Sequence, residues 1–222
     1  MRPVIVFDLD GTLVDSLPDI AASFLHVFAA AGLPAPSEAE LWGRLGGPLE
    51  ATFAAFAPEA SVDELCARYR EHYALHLAER SRPFAGVPAL LRELGRRGYL
   101  RAVATTKRTV TARRLIEAVG LADVLDHVEG SDAPPYKPAP DVVLRALEAL
   151  PGRGLWMVGD TSADVLAGRA AGLATYAVTW GVRDVAPLDA CAPTRLEPDL
   201  DALLQLCPDA GQELTAPPRS EP

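Results

Sequence analysis

The 222 residues are 49% hydrophobic and 23% charged, enough apolar material for one large core or a core with a smaller insert. The formal net charge of −9 argues against a general nucleic-acid binder, which needs Lys and Arg to face the phosphate backbone. The three cysteines, Cys66, Cys191 and Cys207, are odd in number and lack a metal-knuckle spacing, so they read as reduced thiols of a cytoplasmic protein.

In chain order, Val4 to Phe7 is a short β-branched apolar run and predicts a buried strand. No basic-then-apolar leader stands before it, so no signal peptide is expected. Ile20, Phe24, Val27 and Phe28 then recur at helical spacing up to Gly32. Asp19, Ser23 and His26 interrupt the apolar stretch Leu17 to Leu33, which makes it a core-facing helix and not a membrane span. Short helices are expected over 37–45 and 48–57. Ser61 with Glu64 three residues on has the arrangement of a capping box, ahead of an apolar face running to about residue 79.

From Phe84 the pattern changes. A helix marked by Val87, Leu90, Leu91 and Leu94 precedes strands at 100–105, 126–129, 155–158 and 175–178, with helices at about 110–119, 141–150 and 162–171 between them. Such alternation predicts right-handed βαβ units and a doubly wound parallel sheet, an α/β Rossmann-like core. Residues 15–82 break the alternation and read as an inserted helical lobe. The expected division is a core of 1–14 and 83–207, the helical lobe 15–82, and a disordered tail at 208–222, rich in Pro and polar residues.

Ligands of open parallel sheets bind beyond the carboxyl ends of the strands. The first strand ends in FDLDGT, where Asp8 and Asp10 lie two apart and point the same way on an extended chain. Gly11 allows a sharp turn that brings backbone N–H groups toward a ligand. The 155–158 strand ends in GDTSAD. Asp160 and Asp164, four apart, share a helix face there, although helix capping accounts for one of the two. Two like charges about 4 Å apart cost on the order of 4 kcal/mol at an effective dielectric of about 20, so four carboxylates together call for a cation. Oxygen-only ligands suit Mg²⁺. Thr105 and Thr106 offer a hydroxyl and N–H groups to an anionic oxygen, and Lys137 stands in the proline-stiffened turn YKPAPD. A carboxylate nucleophile, a Mg²⁺ site, donors and a lysine are the parts that phosphoryl transfer needs.

These residues resemble the haloacid dehalogenase superfamily: FDLDGTLVDS, the Thr105 strand end, Lys137 in KPAPD and GDTSADVLAGRAAG occur in the order of its motifs. LVDSLPDIAASF and VTWG are most similar to phosphoglycolate phosphatases and their relatives with a helical cap. The resemblance implies Asp8 as nucleophile and Asp10 as general acid and then base. It implies Mg²⁺ held by Asp8, Asp160 and the Asp10 carbonyl, with Asp164 completing the shell. Thr105 and the Thr106 N–H would bind phosphoryl oxygens, and Lys137 would neutralise Asp8. Relatives often carry Asn where this chain has Thr106, which keeps the backbone donor and loses an amide. The implied reaction is hydrolysis of a small phosphorylated metabolite, 2-phosphoglycolate first. The alternatives are a sugar-phosphate mutase or a pyrophosphatase on the same core. A receiver-like phospho-switch uses similar groups but needs no helical lobe. Arg44, with Gly46 and Gly47, is the candidate substrate loop of that lobe. His26, His72 and His76 read as packed or surface histidines. No nucleic-acid or membrane partner is expected, and a monomer or homodimer fits.

Overall fold

The computed structural model describes residues 1–42, 44, 47–181 and 185–209. Its first elements are β1 (Arg2–Phe7), β2 (Val14–Asp15), α1 (Leu17–Ala30), α2 (Glu38–Trp42), α3 (Leu49–Phe56), α4 (Val62–His76) and β3 (Arg82–Pro83). They continue as α5 (Val87–Arg96), β4 (Leu100–Thr105), α6 (Thr109–Ala118), β5 (His127–Gly130), α7 (Asp141–Glu148), β6 (Gly152–Gly159) and α8 (Ser162–Ala170). The last are β7 (Ala174–Val178), α9 (Ala186–Ala190), β8 (Arg195–Glu197) and α10 (Asp201–Gln205). Contacts divide the chain into two compact units: Met1–Val14 with the chain from Pro83 onward, and Asp15–Arg82.

In the first unit six strands form one parallel sheet in the order β5-β4-β1-β6-β7-β8. Counted along the chain, the sheet strands run 3-2-1-4-5-6, the doubly wound order whose direction of winding reverses beside the first strand. A parallel sheet covered on both faces needs strands that are apolar throughout, and Val4, Ile5, Val6 and Phe7 are all fully buried. On one face Val4, Val6, Ala102, Ala104 and Met157 pack with Val142, Val143 and Ala146 of α7 and Ala167 of α8. The apolar stripe of α5 is buried as its spacing predicts. Register then decides where the chemistry falls. Phe7 lies opposite Val103 on β4 and Val158 on β6. Two residues further on are Thr105 and Asp160, level with the chain between Asp8 and Asp10.

The second unit packs α1, α3 and α4 around aromatic rings. Phe24 lies 4.8 Å from Phe53 and 4.6 Å from Tyr69, and Tyr73 stacks on Tyr69. Elsewhere on α1 and α4, His26, His72 and His76 form a stack with centroid spacings of 3.9 and 4.3 Å. Asp19 is buried near the start of α1. It accepts hydrogen bonds from the Arg80 and Ser81 backbone N–H groups (3.0 and 2.8 Å) and the Ser81 hydroxyl (2.7 Å). This carboxylate ties the start of the unit to its last residues. Asp15 is exposed in β2, which pairs with β3 where the chain passes from one unit to the other and back.

Two expectations need correction. Ser61 occupies the N-cap of α4, but its hydroxyl makes no capping bond. Asp63 and Glu64 in the first turn supply negative charge to that helix end instead. The strand β8 and the five-residue helices α9 and α10 were not expected; each is too short to show a period. Pro208 and Asp209, assigned to the tail, are held: Tyr99 donates to the Pro208 carbonyl at 3.0 Å, and Arg96 reaches Asp209 at 3.6 Å. Residues 210–222 and Gly46 lie outside the described residues. No helix among the described residues is long and apolar enough to cross a membrane.

Candidate active site

Past β1 the chain makes a tight turn. The Leu13 and Val14 N–H groups both donate to the Leu9 carbonyl, and the Gly11 N–H donates to the Val14 carbonyl at 2.9 Å. Gly11 adopts φ +84, and a Cβ there would stand 2.3 Å from Asp160 Oδ2. Only glycine meets both conditions. Thr12 donates its hydroxyl to Asp160 Oδ1 at 2.6 Å. Trp180 donates its indole N–H to the Gly11 carbonyl at 3.2 Å while stacking on Phe84 at 4.7 Å. The turn that carries Asp8 and Asp10 is therefore pinned by side chains from distant parts of the chain.

Asp8, Asp160 and Asp164 are all buried, and each offers an oxygen within 4.8 Å of the others. Lys137 is buried among them and donates to Asp8 Oδ1 at 2.7 Å and Asp164 Oδ1 at 2.6 Å. Burial pushes the Asp8 carboxyl up to about 7 against the pull of Lys137, with Asp164 and Asp10 adding to the rise. Burial also raises Asp160 well above the ordinary carboxylate range, and the charges of Asp164 and Asp8 add to it. Burial works against the Lys137 charge, yet Asp164 and Asp8 hold its ammonium above the usual lysine value. One lysine thus leaves Asp8 and Asp160 short of positive charge. An all-oxygen donor set with that deficit fits a hard divalent cation such as Mg²⁺.

Asp164 has a second occupation. Its Oδ2 accepts from the Thr161 N–H at 3.0 Å and the Thr161 hydroxyl at 2.5 Å, and its own N–H returns to Thr161 Oγ1. This is a complete capping box at the start of α8. One Asp164 oxygen serves the cap and the other accepts from Lys137.

At the end of β4, Thr105 is buried and its Oγ1 accepts from the Lys107 N–H at 3.2 Å. Thr106 follows, partly exposed. The Lys107 ammonium lies 3.1 Å from Asp10 Oδ2. The structure therefore gathers Asp8, Asp10, Gly11, Thr105, Thr106, Lys137, Asp160 and Asp164 at the carboxyl ends of β1, β4 and β6. Arg44 belongs to the other unit, exposed, with its guanidinium 5.7 Å over the Phe56 ring.

Residues 5–178 match the family described as haloacid dehalogenase-like hydrolase. The chain belongs to the haloacid dehalogenase-like hydrolases. It is 34% identical to the phosphoglycolate phosphatase of Agrobacterium fabrum, over 97% of this chain and 95% of that one. To the pyrophosphatase PpaX of Halalkalibacterium halodurans it is 33% identical, over 81% and 84% of the two chains. A solved haloacid dehalogenase-like hydrolase from Streptococcus pneumoniae superposes with a TM-score of 0.82 at 31% identity, covering 92% of this chain and 97% of that one.

Thr12, Trp180 and Lys107 are not among the site residues expected from the sequence, although FDLDGT and VTWG, which carry the motif and the resemblance, contain the first two. The available signal for Lys107 is that it directly follows the paired threonines.

Proposed function

We propose that this phosphoric monoester hydrolase is a Mg²⁺-dependent phosphatase of small phosphorylated metabolites, with 2-phosphoglycolate as first substrate. The observation that carries the reading is Lys137 bridging Asp8 and Asp164 inside a buried acidic cluster at the sheet's carboxyl edge. A buried aspartate held by an ammonium is a nucleophile kept in one orientation. An Asp8 oxygen attacks phosphorus, the ester P–O bond breaks, and Asp10 gives its proton to the departing alkoxide. Asp10 then takes a proton from water as that water attacks the aspartyl-phosphate. The Asp8–phosphorus bond breaks and inorganic phosphate leaves. Lys137 holds the charge of Asp8 and of the phosphoryl oxygens, while Thr105 and the Thr106 N–H orient those oxygens.

Asp8, Asp160 and the Asp10 carbonyl would hold Mg²⁺, which supplies positive charge against the carboxylates and the phosphoryl oxygens. Asp164, with one oxygen on Lys137 and the other on Thr161, orients its neighbours. The helical unit is read as the cap, carrying Arg44 as a substrate contact. The likeness to a pyrophosphatase supports a second reading, in which phosphate is the leaving group.

The test is phosphate release, with and without Mg²⁺, from 2-phosphoglycolate, sugar phosphates, nucleotides and pyrophosphate. Release that needs Mg²⁺ and favours 2-phosphoglycolate is expected. Metal-independent release, or none from any ester, would overturn the reading. Asp8→Asn should lower kcat by more than about 10³-fold while keeping the fold by circular dichroism. Retained turnover would move the nucleophile elsewhere.

A further inference from the structure

Lys137 already neutralises Asp8, so the mechanism leaves a second lysine without a task. Lys107 projects from the turn after β4, with its side chain only 9% exposed and its ammonium 3.1 Å from Asp10 Oδ2. Its backbone is held from both sides. The N–H donates to Thr105 Oγ1, and the carbonyl accepts from the Ser131 N–H at 3.0 Å. A Cβ on Gly130 would stand 2.5 Å from the Lys107 carbonyl and 2.3 Å from the Thr109 nitrogen, so the turn and the end of β5 approach as closely as glycine permits. The neighbouring cation, Arg108, is 56% exposed and turns toward Asp132 at 3.9 Å. Of the two cations on this turn, one is aimed at the general acid and the other away from it.

We propose that Lys107 selects the leaving group: it receives a carboxylate carried by the leaving alcohol next to the scissile oxygen. This rests on the phosphatase reading, in which Asp10 protonates that oxygen. An oxygen about 3 Å from Asp10 Oδ2 lies within about 6 Å of the Lys107 ammonium. A carboxylate on the adjacent carbon closes that gap. A lysine ammonium has three donors, so it can hold Asp10 and the substrate carboxylate together. The substrate class is then a short 2-hydroxy acid phosphate. A neutral alcohol offers the Lys107 ammonium no anion to pair with.

The experiment compares 2-phosphoglycolate with hydroxyethyl phosphate, in which a neutral CH₂OH replaces the carboxylate, at saturating Mg²⁺. In Lys107→Met the ratio of the two kcat/KM values, phosphoglycolate over hydroxyethyl phosphate, should fall about 10- to 100-fold, mostly through KM for phosphoglycolate. Lys107→Arg should recover part of that ratio. An unchanged ratio, with both esters slowed alike or neither slowed, overturns the inference, because Lys107 then serves Asp10 alone or nothing at the site. That result leaves the phosphatase reading standing. Wild-type enzyme inactive on both esters sinks the phosphatase reading and this inference together. If Lys107→Met weakens pyrophosphate hydrolysis more than phosphoglycolate hydrolysis, the leaving group is phosphate and the carboxylate assignment fails.

Discussion

Lys137 is the group on which the charge balance of the site turns. It sits between two buried carboxylates, within 2.7 Å of each. Removing one partner of a buried ion pair costs about 3–5 kcal/mol, because the charge left behind has neither water nor a counterion. Lys137→Met should therefore lose about that much stability in metal-free urea unfolding and lower kcat by about 10²- to 10³-fold. Unchanged stability would mean that Asp8 and Asp164 do not depend on this lysine. The aspartates themselves were legible because the sequence brings them in pairs, Asp8 with Asp10 and Asp160 with Asp164, each at the end of an apolar run. Their supports were not. Thr12 and its acceptor Asp160 lie 148 residues apart in the sequence. Trp180 and Gly11 are 169 apart. Contacts of that span follow from strand order and register and leave no local pattern to read.

Helices α1 and α4 carry a device of a different kind, the stack of His26, His72 and His76. His72 is the middle ring. Burial holds its pKa below the ordinary histidine value, and the neighbouring His26 and His76 push the same way, while Glu79 opposes them. Its Nδ1 lies 3.0 Å from the Ser23 hydroxyl, and His76 meets Glu79 at 2.6 Å. With the folded pKa below the unfolded value, the unfolded chain binds the proton more readily. The contribution of His72 is complete above about pH 6.5 and is lost as pH falls through the lowered folded value. The Tm of the wild type minus that of His72→Gln should thus decrease between about pH 7.5 and pH 5. A difference that stays flat or rises would contradict the stacking account. The helices that hold this stack were legible from their 3.6-residue period, as was β1 from its β-branched run and the other longer sheet strands from their alternation with helices. The three-residue β8 was not, since Arg195, Leu196 and Glu197 form a strand only by pairing with β7. The Ser61–Glu64 spacing likewise predicted a cap that does not form, whereas the capping account weighed beside chemistry for Asp160 and Asp164 is met by Asp164, in a box with Thr161.

Across the whole chain the acidic excess is general, but the site concentrates it. Asp8, Asp10, Asp160 and Asp164 meet two ammoniums, Lys107 and Lys137, which leaves a charge of −2 with all four acids ionised. The sheet order places these residues together, so folding itself forces the repulsion. A ligand that binds only the folded state returns stability by mass action, about 2.7 kcal/mol at a hundredfold excess over Kd. For a chain of this size Mg²⁺ at that excess should raise Tm by about 5–10 °C. Asp160→Asn removes one charge while an amide oxygen can still accept from Thr12. The variant should melt above the metal-free wild type and lose most of its response to Mg²⁺. The opposite pattern, a lower metal-free Tm with an intact Mg²⁺ response, would show that Asp160 is held for structure and that the cation sits elsewhere. Thermal unfolding of both proteins, with Mg²⁺ and with a chelator, separates the two because repulsion and ligation predict opposite signs for the same substitution.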